Sequence, residues 1–318
     1  MMIRNFQSGD EEAQAAIYND ATAALPKFKP ASVDEVRRRC RAPEFDPNTR
    51  FFAIEDNQPV AYATFHPNGR VNYPWCRPGC ERATEPLWEH VLQAMRQRGM
   101  KKTFAAYRAD WTAQRDFFLG HGFRQAREMV NFWLEPTDMP TPAARRSYPI
   151  APARPEDVPA ILQLAPQLLR VHTPAELQRH LFQNPYFPPE AVFVARNKAD
   201  SAILAAGVLI SAADYADPRQ VDANMPCFRL GAFGTEGMQT KRINGLFSFL
   251  AQEGNELNRV ALDLMGHAAF RLHYTDVPTF AAQVPSDMPH LFRFYQHHFR
   301  RQGSFPVYER DLETSGPV

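Results

Sequence analysis

Two short tracts set glycine beside basic residues in a way suited to holding an anion: Cys76-Arg77-Pro78-Gly79-Cys80-Glu81-Arg82-Ala83 and Gln239-Thr240-Lys241-Arg242-Ile243-Asn244-Gly245-Leu246. Each follows a hydrophobic stretch of strand character and reads as opening directly into an amphipathic helix. Such a helix aims the free N–H groups of its first turn, and the positive end of its dipole, at whatever lies before the loop. A pyrophosphate fits that chemistry, although an ordinary strand-to-helix connection has the same outline. The second tract is the better cradle, because Lys241 and Arg242 add positive charge and Asn244 tolerates the left-handed backbone region. In the first, Pro78 removes an N–H donor and Glu81 puts a negative charge at the anion's place, leaving Arg77 and Arg82 as the groups that could compensate.

Other groupings carry less. His66, Cys76, Cys80 and His90 supply two thiols and two imidazoles, but not at the compact spacing of structural zinc sites, so no metal is expected. His290, His297 and His298 lie on or beside one predicted helix without a carboxylate nearby in sequence, and read as a solvated face. There is no G-x-S-x-G elbow, H-E-x-x-H, Walker loop or G-x-G-x-x-G. Four cysteines in 318 residues are too few and too irregular for a disulfide framework. Lys plus Arg number 36 against 35 Asp plus Glu, a net charge of +1 that argues against a nucleic-acid partner or a polybasic membrane patch. The first residues lack the apolar stretch of a secretory signal and no run is long enough to span a bilayer, so the chain reads as cytoplasmic.

The elements that must position the two tracts occur twice. Before the Pro-rich stretch Glu135 to Pro149 the order is a strand at Ile3 to Phe6, helices at Glu11 to Ala24 and Ser32 to Cys40, and strands Thr49 to Asp56 and Pro59 to Pro67. Asp56-Asn57-Gln58 supplies hairpin turn chemistry between those strands. An extended Val71 to Trp75, a helix from Thr84 to Arg98, a strand KKTFAAYRA, a helix Trp111 to Leu119 and a strand AREMVNFWLE complete the first series. Leu87, Val91, Leu92 and Met95 give the Thr84 helix a buried face. The second series runs through Tyr148 to Ala153, a helix from Val158, AVFVARN, ILAAGVLISA, CFRLGAF, a helix from about Ile243, TFAAQV, a helix Met288 to His297 and SFPVYERDL. It is longer than the first, with the excess around Leu257 to Pro278. The chain therefore divides into domains 1–135 and 148–318 joined by a linker at 136–147.

This doubled series, with its Gln-led basic loop before a helix, resembles the GNAT superfamily of acetyl-CoA-dependent N-acetyltransferases, present as two tandem copies. The resemblance implies an α/β (α+β) fold in which each copy has a mixed, splayed central sheet flanked by helices. It also implies that acetyl-CoA, as co-substrate, lies with its pantetheine in the gap between two diverging strands. The family's loop pattern, [Q/R]-x-x-G-x-[G/A], aligns with Gln239 to Asn244, so Phe233, Gly234, Thr235, Gln239, Thr240, Lys241, Arg242, Ile243, Asn244 and Gly245 are the expected cofactor contacts. Arg242 and Asn244 stand where the family has small residues, and the Cys76 loop keeps only its middle Gly79.

Acyl transfer needs a neutral amine, an oxyanion site and a proton for the departing thiolate. The strand Cys227 to Phe233 has no carboxylate, and Glu236 beyond it is the nearest base candidate, against the plain reading of a solvated loop charge. The family's acid tyrosine falls on Phe118 and Phe294, which cannot donate a proton. Tyr295, one position on and rotated by about 100° around a helix, replaces it if the register shifts, and otherwise is a packing tyrosine. The expected activity is acetyl transfer to a small-molecule or peptide amine by the C-terminal domain of a monomer or homodimer. A GNAT-fold acyl-CoA sensor or interaction module without catalysis is the other reading.

Overall fold

The computed structural model describes residues 1–28, 30–41, 45–139, 147–164, 173–183, 189–211, 217, 219, 222–224, 245–252, 254, 256–273, 275, 277 and 279–312. These fall into two compact units, the first made of 1–127 with 305–312 and the second of residues from Glu128 to Ser304.

In the first unit β1 (Met2–Asn5), β2 (Arg50–Glu55), β3 (Gln58–Thr64) and β4 (Trp75–Cys76) form an antiparallel sheet in chain order. The β2–β3 hairpin turns through Asp56 and Asn57, both at positive φ, as two residues with short polar side chains allow. Helices α1 (Asp10–Thr22) and α2 (Val33–Cys40) separate β1 from β2, and the Ser32 hydroxyl caps α2 by accepting the Glu35 N–H. Helix α3 (Thr84–Gln97) buries Leu87, Val91, Leu92 and Met95 as its periodicity requires, together with Trp88. Strand β5 (Lys102–Ala106) belongs to a different sheet from β4, and α4 (Thr112–Gly120) follows it. The partner of β5 inside this unit is the end of the chain: Val307 to Asp311 of β12 (Arg300–Asp311) pair antiparallel with Ala106 to Lys102.

The second unit begins within β6 (Arg124–Leu134), whose residues 129–134 pair antiparallel with β11 (Phe280–Pro285). The sheet then runs β11, β10 (Leu246–Ala251), β9 (Ile203–Ile210), β8 (Val192–Arg196), β7 (Ile150–Pro152). Helices α5 (Val158–Leu164) and α6 (Pro174–Phe182) lie between β7 and β8, with α5 packed on β9 and β10. Helices α7 (Leu257–Leu272) and α8 (Pro289–His298) contribute Val260, Leu264, Met265, Ala268, Phe294 and Tyr295 to a core shared with alternate residues of β6, β9, β10 and β11. Each large apolar side chain enclosed there contributes roughly 1.5–3 kcal/mol.

One sequence expectation is corrected. The helix foreseen from about Ile243 is a strand: Leu246 to Ala251 pair residue by residue with Ile210 to Ala205 of β9. A short apolar run is ambiguous by periodicity alone, and here the unsatisfied N–H and C=O groups of β9 decide it. The helix comes later, as α7, in the segment that had seemed to be extra length.

Candidate active site

In the second unit, β10 and β11 are the parallel neighbours in an otherwise antiparallel arrangement. Among the described residues they share one registered position, Leu246 with Ala281, tied by the Ala281 N–H to the Gly245 carbonyl at 3.0 Å. No further registered pair joins the two strands among the described residues, and β10 ends at Ala251, ahead of α7 at Leu257. Gly245 holds the apex: its φ is +66°, and a Cβ there would come within 1.7 Å of the Thr279 carbonyl oxygen. The Thr279 hydroxyl beside it is fully buried and has no hydrogen-bond partner among the described residues.

Tyr295 is placed by α8 at this apex. Its hydroxyl donates to the Phe247 carbonyl of β10 at 3.3 Å, and its ring packs among Phe132, Phe249, Phe294 and Phe299. Burial pushes the phenol well above its ordinary value, so it holds its proton. Phe294 lies in the same core. On the opposite face of the sheet, alternation from Phe247, Phe249, Phe280, Ala282, Val130 and Phe132 places Ser248, Gln283 and Asn131. Asn131 is fully buried, donates its side-chain N–H to the Ala223 carbonyl, and accepts from Gln283 Nε2 at 2.9 Å. These polar residues were not foreseen; the signal was a lone Asn in MVNFWL and a lone Gln in FAAQV.

Glu236, Phe233, Gly234, Thr235, Gln239, Thr240, Lys241, Arg242, Ile243 and Asn244 lie outside the described residues. Gly245 is described, and it precedes a strand; the connection from strand to helix in this unit is Gln252 to Glu256, which the sequence reading did not single out.

The corresponding loop of the first unit is described in full. Gly79 has φ +85° with open space around it, and its N–H donates to Glu81 Oε1 at 2.9 Å. The Glu81 carboxylate, held below its usual range by the N–H groups of Gly79 and of Glu81 itself, thus occupies the donors an anion would take. Arg82 makes a two-pronged pair with Glu55, and Arg77 Nη1 lies 3.7 Å from Asp20 while its Nε is buried without a partner among the described residues. Trp75 of β4 sits in an aromatic cluster with Tyr18, Tyr73, Tyr107 and Trp111, and Tyr107 accepts the Tyr73 N–H at 2.6 Å. Phe118 of α4 is fully buried. Among the described residues no group of three or more His, Cys, Asp or Glu could hold a metal ion, and no helix is long and apolar enough to cross a membrane.

No family model matches this sequence, and no curated protein matches it either. Solved structures do. The chain is similar to a GCN5-related N-acetyltransferase from Sphaerobacter thermophilus with a TM-score of 0.62 and 16% identity, over 98% of this chain and 96% of that one. It is similar to a glucosamine N-acetyltransferase region of a fungal multi-domain GH3 β-N-acetylglucosaminidase with a TM-score of 0.66 and 14% identity, over 97% of this chain and 38% of that one. A tandem GNAT protein from the clavulanic acid biosynthesis pathway aligns over 100% of this chain and 99% of its own, with a TM-score of 0.56 and 13% identity. Two element series of one order, together with solved structures similar over nearly the whole chain, give this chain the tandem GNAT fold.

Proposed function

We propose that the chain is an acetyl-CoA-dependent N-acyltransferase whose chemistry lies in the second unit, in the gap between β10 and β11. The observation that carries this reading is the parallel pair that shares one registered position among the described residues, with the Tyr295 hydroxyl and the Thr279 hydroxyl, unpartnered among those residues, beside it. The thioester would enter this gap. Its phosphates would lie toward the start of α7, near Arg259 of the first turn, with Lys241 and Arg242 as further cations and the segment from Phe233 to Gly245 as the proposed surroundings. The amine attacks the acyl carbon, the C–S bond breaks, and Tyr295 supplies the proton taken by the thiolate. Glu236 is the proposed base for the amine proton. The first unit, its anion loop filled by Glu81, shapes the protein without binding the co-substrate.

The second reading, a GNAT-fold sensor without turnover, is favoured by Phe118 and Phe294 at both acid positions. Thiol release from acetyl-CoA in the presence of a panel of primary amines separates the two. The transferase releases thiol in proportion to amide formed, whereas tight acetyl-CoA binding with no amide from any amine would establish the sensor.

A further inference from the structure

The polar row Ser248, Gln283 and Asn131 lies where β10 and β11 part, on the face away from the α7 and α8 core. Its directions of donation are fixed from one end. A backbone carbonyl can only accept, so the Asn131 group facing Ala223 must be its NH2, and the Asn131 oxygen must then face Gln283. That oxygen takes the Gln283 NH2 at 2.9 Å. Gln283 is left presenting Oε1, an acceptor whose polarity the two preceding bonds reinforce, and which takes no hydrogen bond from another described side chain. Ser248 and Gln283 each lie two residues beyond the registered pair Leu246 and Ala281, on the same side of their strands as that pair. Asn131 is fully buried and cannot rotate to reverse the chain without leaving the Ala223 carbonyl unpaired.

We infer that Gln283 is the acceptor-recognition residue of the second unit: its Oε1, oriented by Asn131 and faced by Ser248, receives an N–H of the incoming amine and so selects a primary ammonium or amine over a carboxylate. Asn131 is a positioning residue that acts through Gln283. The inference rests on the transferase reading for the identity of the site, and its test is separable from that reading. The full-length protein, with glutamine and asparagine side chains labelled with ¹⁵N, is saturated with acetyl-CoA and titrated with n-butylamine and, separately, with n-butyrate. Butylamine is expected to shift the Gln283 and Asn131 side-chain amide signals in a saturable manner. Gln283→Met, which keeps volume and removes the acceptor, should weaken that binding about tenfold or more while acetyl-CoA affinity stays within twofold. Ser248→Ala should weaken it less and leaves the fold undisturbed, so the outcome does not hang on one variant. Saturation by butyrate to the same extent as butylamine, or no amine-dependent shift at Gln283, would overturn the inference with the transferase reading intact. Failure of acetyl-CoA to bind before any amine is added would overturn the transferase reading itself.

Discussion

Tyr295 is the residue on which the proposed chemistry turns, and its surroundings set what it can do. A phenol whose value is raised by burial holds its proton around neutral pH. The sign follows: the neutral form is favoured in the folded state, so the associated stability is present below the unfolded value and is lost as pH rises through the folded one. Tyr295 therefore adds no titration limb to a rate profile near neutrality. Tyr295→Phe should reduce amine-dependent thiol release by about 10²-fold, with acetyl-CoA affinity nearly unchanged; equal turnover in the variant would mean that water protonates the thiolate. The sequence placed Tyr295 as either an acid reached by a register shift or a packing tyrosine. In the structure its ring packs in the core and its hydroxyl still reaches a β10 carbonyl at the strand apex. Burial of the ring was legible from the aromatic spacing of Phe292, Phe294 and Tyr295, whereas the contact with Phe247 was not, because it joins residues 48 apart.

The strand β10 shows where reading by periodicity stops. Leu87, Val91, Leu92 and Met95 declared α3 because four apolar residues recur over about two and a half turns. Leu246 to Ala251 offer six residues, too few to separate a period of 3.6 from one of 2, and the helix expected from about Ile243 is a strand there as a result. In the first unit, by contrast, Glu81 was foreseen at the anion position, since a loop that returns N–H groups to a nearby carboxylate is a local matter. The two glycines of these connections separate strain from function. Gly245→Ala must place a Cβ 1.7 Å from the Thr279 carbonyl oxygen at a φ of +66°, and should destabilise the second unit by more than about 3 kcal/mol in urea unfolding. Gly79→Ala, with nothing within 4 Å, should cost only about 1 kcal/mol for its left-handed backbone. Equal costs at the two positions would remove the close approach that defines the apex.

Strand partners far apart in sequence govern how each unit folds. The repeat was legible in element order, and with it the tandem fold, but the destination of the last strand was not, because alternation names a strand's faces and never its neighbour. Residues 307–311 supply the partner of β5 in the first unit, and residues 129–134 supply the partner of β11 in the second. Cutting the chain at the Pro-rich stretch should therefore leave 1–139 without a partner for β5. Expressed alone, that half should show an exposed sheet edge and broad, non-cooperative melting, and co-expression with 148–318 should restore a cooperative transition; a sharply melting, monodisperse 1–139 would contradict it. Isothermal titration of acetyl-CoA into the full chain is the most direct examination of the proposed site. One molecule should bind per chain, at least tenfold more weakly when Lys241, Arg242 and Arg259 are all changed to Glu, and within twofold of the parent when Arg77 and Arg82 are changed to Gln. Binding that is lost with Arg77 and Arg82 and survives the changes in the second unit would place the co-substrate in the first unit, and no binding at all would leave the tandem fold without the chemistry proposed for it.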